Sequence, residues 1–419
     1  MNTTSFTTIE KCRICGNTEL RTILDLGSMV LTGMFPKPGE YVDSCPVELV
    51  KCWSETEDEC CGLVQLRHTY DLGKLYGDHY GYRSGLNASM VAHLEGIVRE
   101  IEHRVTLNDN DLILDIASND GVLLNAYKNS TLQLVGIDPS AEKFKEFYKP
   151  GIRRFSEFFS KDIIKNNFSI KAKVITSVAV FYDLEEPLTF MKEIKEILAN
   201  DGIWVIEQSY LPTMIKNTSY DTLCHEHLEY YALKQINWMA QKVGLKIVDV
   251  DFNNANGGSF RVSIAQDVSN MLPKTEKINT ILQQEKESGF DNWNVYQEFA
   301  DNTKKHKEEL IQCLKRLKTE GKKVCGYGAS TKGNVILQYC NITVDDLSCI
   351  AEVNEYKFGR VTPGTNIPIY SEAEVKEMQP DYLLVLPWHF KENSIKREST
   401  YLADGGHLIF PLPKIEIIP

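Results

Sequence analysis

The chain lacks the long apolar segments of membrane proteins and the basic surface of nucleic-acid-binding proteins. Its 419 residues contain no run of about 18 consecutive apolar residues, which a membrane-spanning helix requires. The first residues, MNTTSFTTIEKC, lack the basic and apolar regions of a secretory signal. Acidic residues number 58 against 46 basic ones, and the resulting formal charge of −12 disfavours a phosphate backbone as main partner. We therefore expect a cytoplasmic protein that binds neither membranes nor nucleic acid.

Repeats of solenoid period and low-complexity tracts are also missing, which excludes a repeat array or a disordered chain. The composition, 42% hydrophobic and 25% charged, is typical of globular proteins. Because a single core seldom grows beyond about 250–300 residues, the length indicates two or three units.

Three segments differ in pattern. Residues 1–75 are rich in cysteine and turns and show little helical periodicity, so they need a cross-link such as a bound metal or a disulfide to fold. Residues 76–270 alternate strand-like runs, such as DLILDIAS and GIWVIEQS, with amphipathic helices, which predicts βαβ units. Residues 271–419 begin with charged surface helices and continue with the short strand-like runs KVCGYGAS, SCIAEV, DYLLVLP and HLIFPLP. The predicted fold class is α/β, with a cysteine-rich module and two sheet domains.

The cysteine-rich segment has the spacing of a zinc module. Cys12 and Cys15 form a CxxC pair on a predicted tight turn, and Cys52 with Cys61 supplies a second pair. Four thiolates complete a tetrahedron around zinc and leave no position for water, so we assign the predicted metal a structural role. The spacing leaves Cys60 as an alternative to Cys61, and buried free thiols or a redox pair as an alternative to the metal.

A cofactor site is predicted in residues 112–124, LILDIASNDGVLL, which indicate a buried strand, a polar turn and a helix. The GxGxxG fingerprint of dinucleotide sites is missing there. Acidic side chains in the turn repel a pyrophosphate but suit a ligand with a cationic amino-acid moiety. Asp138 ends the next strand, where a carboxylate accepts hydrogen bonds from ribose hydroxyls. The predicted S-adenosylmethionine site consists of Asp115, Ala117, Ser118, Asn119, Asp120, Gly121 and Asp138. Carboxylates that only cap helices would explain Asp120 but not the whole set.

The segment TLCHEHLEYY, residues 222–231, concentrates titratable side chains. It lacks the HExxH spacing of a zinc helix, because His225 and His227 are only two residues apart. In an extended segment the histidines share one face and Glu226 lies opposite, whereas in a loop all three could converge. A histidine is suited to removing a proton from carbon next to a carbonyl, and a carboxylate can orient it. A hydrogen-bonded structural histidine pair is the alternative.

Three further motifs are candidates for substrate contact. The run YGDHYGYRSG, with Tyr80 and Tyr82, would suit a flexible cover over a sugar or a sulfonium, although packing is equally consistent. The stretch NANGGSFR, which includes Asn256, predicts a tight turn before a strand. The loop GYGASTKG follows a strand and opens a helix, so its amides, hydroxyls and Lys332 could hold phosphate, with Arg360 as a further donor. A purely structural helix start is the alternative for this loop.

The order of these motifs carries a family resemblance. The chain resembles, nearly end to end, the sugar C-methyltransferases that act on nucleotide-linked 4-keto-deoxysugars. The motifs that carry the resemblance are, in order, CRICG, CGLVQL, YGYRSG, DIASNDG, GIDPS, CHEHLEYY, NGGSFR, GYGASTKG and TPGT. The resemblance implies an N-terminal zinc module, a central Rossmann-like class I methyltransferase domain and a smaller C-terminal Rossmann-like domain that helps bind the nucleotide sugar.

The resemblance also implies roles for particular residues. A histidine removes the C3 proton of the sugar, and the enolate attacks the methyl group of S-adenosylmethionine. By position the base is His227, with Glu226 and Tyr80 or Tyr82 orienting it or stabilising the oxyanion, and with His225 nearby. The substrate would contact Asn256, Tyr327, Lys332 and Arg360.

Three positions depart from the family pattern. Cys224 stands where some relatives have tyrosine, Asp183 where some have histidine, and Asn256 replaces the histidine of an HGGS-like turn. These changes concern proton handling and the sugar, not the cofactor motif. O-methylation of a related sugar by the same histidine, and a non-catalytic zinc-containing scaffold, are the alternative functions. The sequence leaves open the nucleotide, the sugar and the oligomeric state.

Overall fold

The computed structural model describes residues 6–56, 60–76 and 82–419, so that Tyr80 lies outside the described residues. The described chain is a mixed α/β structure with three units, which confirms the predicted fold class. Within these ranges no helix is both long enough and apolar enough to cross a membrane.

The N-terminal unit is a small antiparallel sheet. Its elements are β1 (Phe6–Thr8), β2 (Leu20–Val30), β3 (Ser44–Cys52), β4 (Val64–Leu66), β5 (His68–Tyr70) and α1 (Leu72–Leu75). Strands β2, β3 and β4 pair antiparallel, and β1 pairs with β5. A fourth strand of the larger sheet, Glu229–Tyr230, comes from the central unit and pairs with β4. Dividing the chain at residue 76 therefore leaves out one strand of the first sheet.

The central unit is a twisted sheet covered by helices. Its helices are α2 (Ala88–Arg104), α3 (Val122–Ala126), α4 (Lys161–Asn167), α5 (Pro187–Ile197), α6 (Leu211–Lys216) and α7 (Leu233–Val243). Its strands are β6 (Leu112–Ile116), β7 (Gln133–Ile137), β8 (Arg153–Phe155), β9 (Ala172–Val178), β10 (Leu198–Ser209), β11 (Glu229–Tyr230), β12 (Leu245–Asn253) and β13 (Ser259–Gln266). All five residues of β6 are buried, as expected for a strand with both faces covered.

The order of the strands in this sheet determines where a ligand binds. It is β12-β13-β10-β9-β6-β7-β8, and β13 is antiparallel to its neighbours whereas the others run parallel. The chain passes from β6 to β7 on one side and returns to β9 on the other, so the order reverses between β6 and β9. In open α/β sheets ligands bind at the carboxyl ends of the strands at such a point. The turn after β6 lies at that position.

Two helices connect the sheet domains, α8 (Thr275–Glu287) and α9 (Trp293–Thr319), as the charged periodic pattern predicts. They are not only surface helices, because the buried stripe of α9 includes Tyr296, Phe299, Leu310 and Leu314. These side chains enter a core that the N-terminal sheet and the C-terminal domain share.

The C-terminal unit contains the four predicted strands. Its elements are β14 (Val324–Tyr327), α10 (Thr331–Tyr339), β15 (Ile350–Glu352), β16 (Ile369–Ser371), α11 (Glu372–Glu377), β17 (Tyr382–Val385), α12 (Lys391–Arg397), α13 (Ser399–Ala403), β18 (His407–Phe410) and β19 (Glu416–Ile418). The sheet order is β16-β15-β14-β17-β18-β19, and β19 alone is antiparallel to its neighbour. Strands β16 and β19 were not predicted; each has only three residues.

The three units share hydrophobic interiors. One core combines the N-terminal sheet, the stretch from Leu211 to Tyr230, helix α9 and the C-terminal sheet. A second combines Cys12, Cys52 and Cys61 with the central helices. The segment that carries the HEH motif is therefore buried where all three units meet.

Candidate active site and metal centre

Four cysteine sulfurs form a compact cluster in the N-terminal unit. The Sγ atoms of Cys12, Cys15, Cys52 and Cys61 all lie within 4.8 Å of one another. The closest pairs are Cys12 with Cys61 at 3.5 Å and Cys15 with Cys52 at 3.4 Å. A tetrahedral zinc with Zn–S bonds of about 2.3 Å requires sulfurs about 3.8 Å apart, so the donor set fits a structural zinc.

Cys60 does not belong to this cluster. Its Sγ lies 3.5 Å from the carbonyl oxygen of Cys52, and the residue lines a separate cavity beside Lys234 and Trp238. The backbone N–H of Leu63 and the side-chain amide of Asn17 donate to Cys61 and Cys52 respectively, each at 3.4 Å, which suits thiolate sulfur. The structure thus decides between the two adjacent cysteines in favour of Cys61.

The turn after β6 has an unusual backbone. Ala117, Asn119 and Gly121 have φ values of 59°, 49° and 75°. At Gly121 a Cβ atom would lie 2.6 Å from the ring of Tyr148, so only glycine fits there. The Tyr148 hydroxyl in turn contacts Ser118 Oγ at 2.8 Å and donates to the carbonyl of Asn119 at 2.7 Å. The turn is therefore held in one conformation at the carboxyl edge of the sheet.

Three carboxyl groups surround this turn. Burial raises the pKa of Asp115 to about 7, and Thr176 Oγ1 donates to it at 2.5 Å. Asp138 accepts from the N–H of Asn119 at 2.8 Å and from the N–H of Ser140 at 2.7 Å. The predicted cofactor residues Asp115, Asn119 and Asp138 are thus brought together at one edge of the sheet.

Asp120 contacts the segment that precedes α2. Its Oδ2 accepts from the N–H of Gly85 at 2.9 Å and lies 3.3 Å from Arg83 Nε. Asn119 donates to the carbonyl of Tyr82 at 3.1 Å. Tyr82, with 51% of its surface exposed, therefore lies over the cofactor turn, and nothing in the described contacts links it to His227.

The imidazole of His227 is held in one neutral form. Its Nδ1 lies 3.0 Å from the carbonyl oxygen of Thr222, which only accepts, so Nδ1 carries the proton and the lone pair of Nε2 is free. The ring packs against Tyr182 with 4.3 Å between centroids and lines a cavity with Ser209 and Glu229. Burial, and next the charge of Lys332, lower the pKa of His227 to about 3.

Glu226 lies between the N-terminal and C-terminal units. A Cβ atom on Gly33 would lie 2.0 Å from Glu226 Oε1 and 3.8 Å from Thr331 Oγ1, so the carboxyl occupies the space beside both residues. Its Oε2 is buried without a hydrogen-bond partner among the described residues, and burial raises its pKa.

His225 lies apart from this pair. Its Nδ1 accepts from the N–H of Thr32 at 3.4 Å, and its Nε2 lies 3.4 Å from the carbonyl of Cys45. Burial lowers the pKa of His225 to about 4, and its ring contacts Tyr70 edge-on. The two histidines therefore point to different environments, with His225 within the N-terminal unit and His227 towards the cleft.

The four predicted substrate residues do not form one group. Lys332 Nζ donates to the carbonyl of Asn256 at 2.8 Å, so these two meet across the cleft between the sheet domains. Tyr327 is buried and donates to Glu398 at 2.9 Å inside the C-terminal unit. Arg360 donates to the carbonyl of Phe35 at 2.9 Å and so links the C-terminal and N-terminal units.

Several residues of the cleft were not predicted from sequence. Trp388 and His389 follow β17, and the Trp388 indole donates to Asp221 at 2.7 Å. Trp388 also covers Gly257, where a Cβ atom would approach its ring to 3.2 Å. The sequence signal that could have identified Trp388 and His389 is their position after a strand-like run, at the carboxyl end of a parallel strand.

Asp183, which the sequence analysis names only as a departure from the family pattern, also has a distinctive environment. It accepts from Tyr76 OH at 2.9 Å, and its Oδ1 is buried without a hydrogen-bond partner in the described chain.

The metal site yields a test with a matched control. Replacing Cys12 with serine removes one of four thiolates, so we expect bound zinc to fall from about one ion per chain to near zero, with a lower melting temperature. Cys60→Ser should keep zinc, because its sulfur lies outside the cluster. Metal content by plasma mass spectrometry measures both variants, and zinc loss in Cys60→Ser alone would contradict the assignment.

The cofactor site yields a second test. Asp138→Ala should weaken S-adenosylmethionine binding by about 10- to 100-fold, since hydrogen bonds to a charged group contribute about 1.5–3 kcal/mol. Asp109→Ala is the control, because that exposed carboxylate accepts only from Thr131 at the opposite end of the sheet. Isothermal titration calorimetry measures the dissociation constants, and equal affinity in the two variants would exclude Asp138 from the site.

Comparisons with known proteins match the three units in order. Residues 12–76 match a family of zinc binding domains, residues 90–250 a family described as methyltransferase domain, and residues 254–413 a family described as C-methyltransferase C-terminal domain. The C-methyltransferase NovU of Streptomyces niveus is 28% identical over 418 residues, which cover 98% of this chain and 97% of that protein.

Solved structures with partial similarity include two methyltransferase complexes. The Haloferax volcanii complex of the Trm112 activator with a methyltransferase is 13% identical, covering 43% of this chain and 94% of the other at a TM-score of 0.35. The plantazolicin methyltransferase BpumL is also 13% identical, covering 42% and 83% at a TM-score of 0.33. The three matched families span nearly the whole chain in the order of its units, and together with the full-length relative they support a zinc-containing, S-adenosylmethionine-dependent C-methyltransferase.

Proposed function

We propose that the protein methylates C3 of a nucleotide-linked 4-keto-deoxysugar, with His227 as the base that removes the C3 proton. The observation that carries the proposal is the state of His227. Its Nδ1–H is held by the carbonyl of Thr222, so Nε2 is the basic nitrogen, and its low pKa keeps the ring neutral. A neutral imidazole carries the lone pair that proton removal from carbon requires.

The location of this base agrees with methyl transfer. Tyr182, which packs on His227, lies in the short helical turn that follows β9. Strand β9 is the neighbour of β6, and its Thr176 donates to Asp115 in the cofactor site. The base and the cofactor turn are therefore at the same carboxyl edge of the sheet, where a substrate can reach both.

The cleft has the polarity expected for a hydroxylated ligand. The buried polar atoms without hydrogen-bond partners among the described residues include Asp183 Oδ1, Ser209 Oγ, Asp221 Oδ1, Glu226 Oε2 and His389 Nδ1. Buried polar groups nearly always have partners in folded proteins. A sugar with several hydroxyl and carbonyl groups would supply them, and the C-methyltransferase NovU supports transfer to carbon.

The proposed reaction relies on the acidity of carbon next to a ketone. S-adenosylmethionine supplies, when bound, an electrophilic methyl group whose transfer leaves its sulfur neutral. His227 Nε2 takes the C3 proton, and the electron pair of the C–H bond moves into the C4 carbonyl to form an enolate. C3 then forms the new carbon–carbon bond as the carbonyl is restored, and the proton stays on His227 until it is released to solvent.

Incubation with candidate sugars tests the substrate. The protein with S-adenosylmethionine and a panel of dTDP- and GDP-linked 4-keto-6-deoxysugars should yield one product that is heavier by one methyl group. Mass spectrometry detects the gain, and NMR should place the methyl on C3. Methylation of only the reduced 4-hydroxy sugars would instead indicate an O-methyltransferase and overturn the proposal.

Substitution and pH dependence test the base. His227→Asn should abolish turnover and keep cofactor binding, whereas His103→Asn, an exposed change on α2, should keep both.

Because the pKa of His227 is about 3, kcat/KM of the unaltered protein should stay level down to pH 5. A base with the ordinary pKa near 6.5 would be about one-thirtieth neutral there. A fall in kcat/KM centred near pH 6.5, with circular dichroism unchanged, would contradict the assignment.

A further inference from the structure

Lys332 is a cation without an ionic partner in the cleft. Its Nζ donates to the carbonyl of Asn256 at 2.8 Å, and this is its one hydrogen bond within the described chain, where it also forms no ion pair. An ammonium group has three donors, so two are available. Lys332 is partly buried, and burial lowers its pKa. The charge of Asp221 acts on it without forming an ion pair, so its surroundings are suited to a negative charge supplied by a ligand.

Two backbone amides of the loop around Lys332 already have partners within the protein. The N–H of Ala329 donates to Glu352 Oε2 at 2.9 Å, and the N–H of Gly333 donates to Ser330 Oγ at 3.0 Å. These contacts leave fewer backbone donors for a phosphate at the start of α10 than the sequence pattern predicts.

Lys332 lies beside the segment of residues 220–227, the catalytic segment, which carries the candidate base His227. Helix α10 packs on the turn Tyr220–Thr222, whose Thr222 carbonyl holds His227. The Lys332 charge acts on His227 strongly enough to lower its pKa, second only to burial. The ammonium and the imidazole therefore share one region of the cleft, although they come from different units.

We propose that Lys332 is a second catalytic residue, whose ammonium donates a hydrogen bond to the C4 oxygen as negative charge develops there. This role rests on the proposed function, because it needs a ketone whose α-proton His227 removes. As the C–H electron pair moves into the carbonyl, the oxygen gains the charge and Lys332 N–H stabilises it. Lys332 keeps its proton throughout, since the carbonyl re-forms when C3 bonds to the methyl carbon. A preorganised donor at such an oxyanion contributes about 100- to 1000-fold to the rate.

Other titratable groups also face this ammonium and must be considered in any pH experiment. They are Asp221, Cys224 and His227 from the catalytic segment and His389 from the C-terminal unit. The charges of Asp183 and Glu226 act on Cys224. Asp221 is already bound by the Trp388 indole, and burial raises the pKa values of Asp183, Cys224 and Glu226. Lys332 is the cation whose charge lowers the pKa of His227.

The test compares Lys332→Gln with Lys332→Met and with the control Lys322→Met. Glutamine removes the charge but keeps a donor for the Asn256 carbonyl, so the contact between units can survive. Lys322 is an exposed lysine of the same unit that pairs with Asp381. The first readout is exchange of the C3 proton with deuterium in a 4-keto sugar nucleotide, followed by NMR without S-adenosylmethionine. The second is the dissociation constant of that sugar nucleotide.

Both Lys332 variants should exchange about 100-fold or more slowly than the unaltered protein, with sugar-nucleotide affinity changed by less than about threefold. Lys322→Met should exchange at the unaltered rate. The residual exchange provides a further signature: without the cation, the pKa of His227 should rise, so the acid limb of the pH profile should move to higher pH. A lysine whose charge does not reach His227 would not move that limb.

Three results would overturn the proposal. Exchange at the unaltered rate in a folded Lys332 variant would exclude a catalytic role. Loss of affinity with normal exchange at saturating substrate would make Lys332 a binding residue for the nucleotide. An acid limb that does not move would show that its charge does not reach His227. If the unaltered protein itself exchanges no keto sugar of the panel, the proposed function fails and this role fails with it, which distinguishes the two cases.

Discussion

Pairing of the short strand Glu229–Tyr230 with β4 fixes the segment on which the candidate active site depends. The two residues preceding this strand include His227, and the turn at Thr222 that holds its ring packs on helix α10 of the C-terminal unit. The part of the central unit that carries His227 therefore lies between the N-terminal and C-terminal units. Backbone hydrogen bonds give this segment its register, and side chains from three units then define its surroundings.

The zinc centre contributes to this arrangement from a distance. Arg13, between the two cysteines of the CxxC pair, donates to the carbonyls of Leu66 and His68 at 2.6 and 3.0 Å. Its Nε lies 3.6 Å from the buried carboxyl of Glu229. A metal on the four cysteines would close the loop that carries Arg13, and would so support the strand Glu229–Tyr230 next to His227.

Burial determines the chemistry of the cleft. Removal from water keeps His227 neutral and raises the pKa values of Asp183 and Glu226, because each charged form loses hydration. Lys332 is the exception, a cation held by one carbonyl. In such a region a single positive charge has a large effect on a developing anion, since little water screens it. The departure at Asp183 is consistent with this environment, because a neutral carboxyl can donate as well as accept.

The sequence by itself determined the fold class, the α/β order of the two sheet domains and the strands that follow the long apolar runs, because burial on both faces of a sheet requires such runs. It also predicted the cofactor turn, since carboxylates after consecutive strands of an open sheet converge at one edge. Spacing could not decide between Cys60 and Cys61, because adjacent side chains point in different directions only once β3 and the knuckle turn are packed. Nor could spacing show that His225 and His227 lie in different environments. Those outcomes depend on contacts between residues that are far apart in the sequence, such as Thr32 with His225, which only the packing of the chain creates.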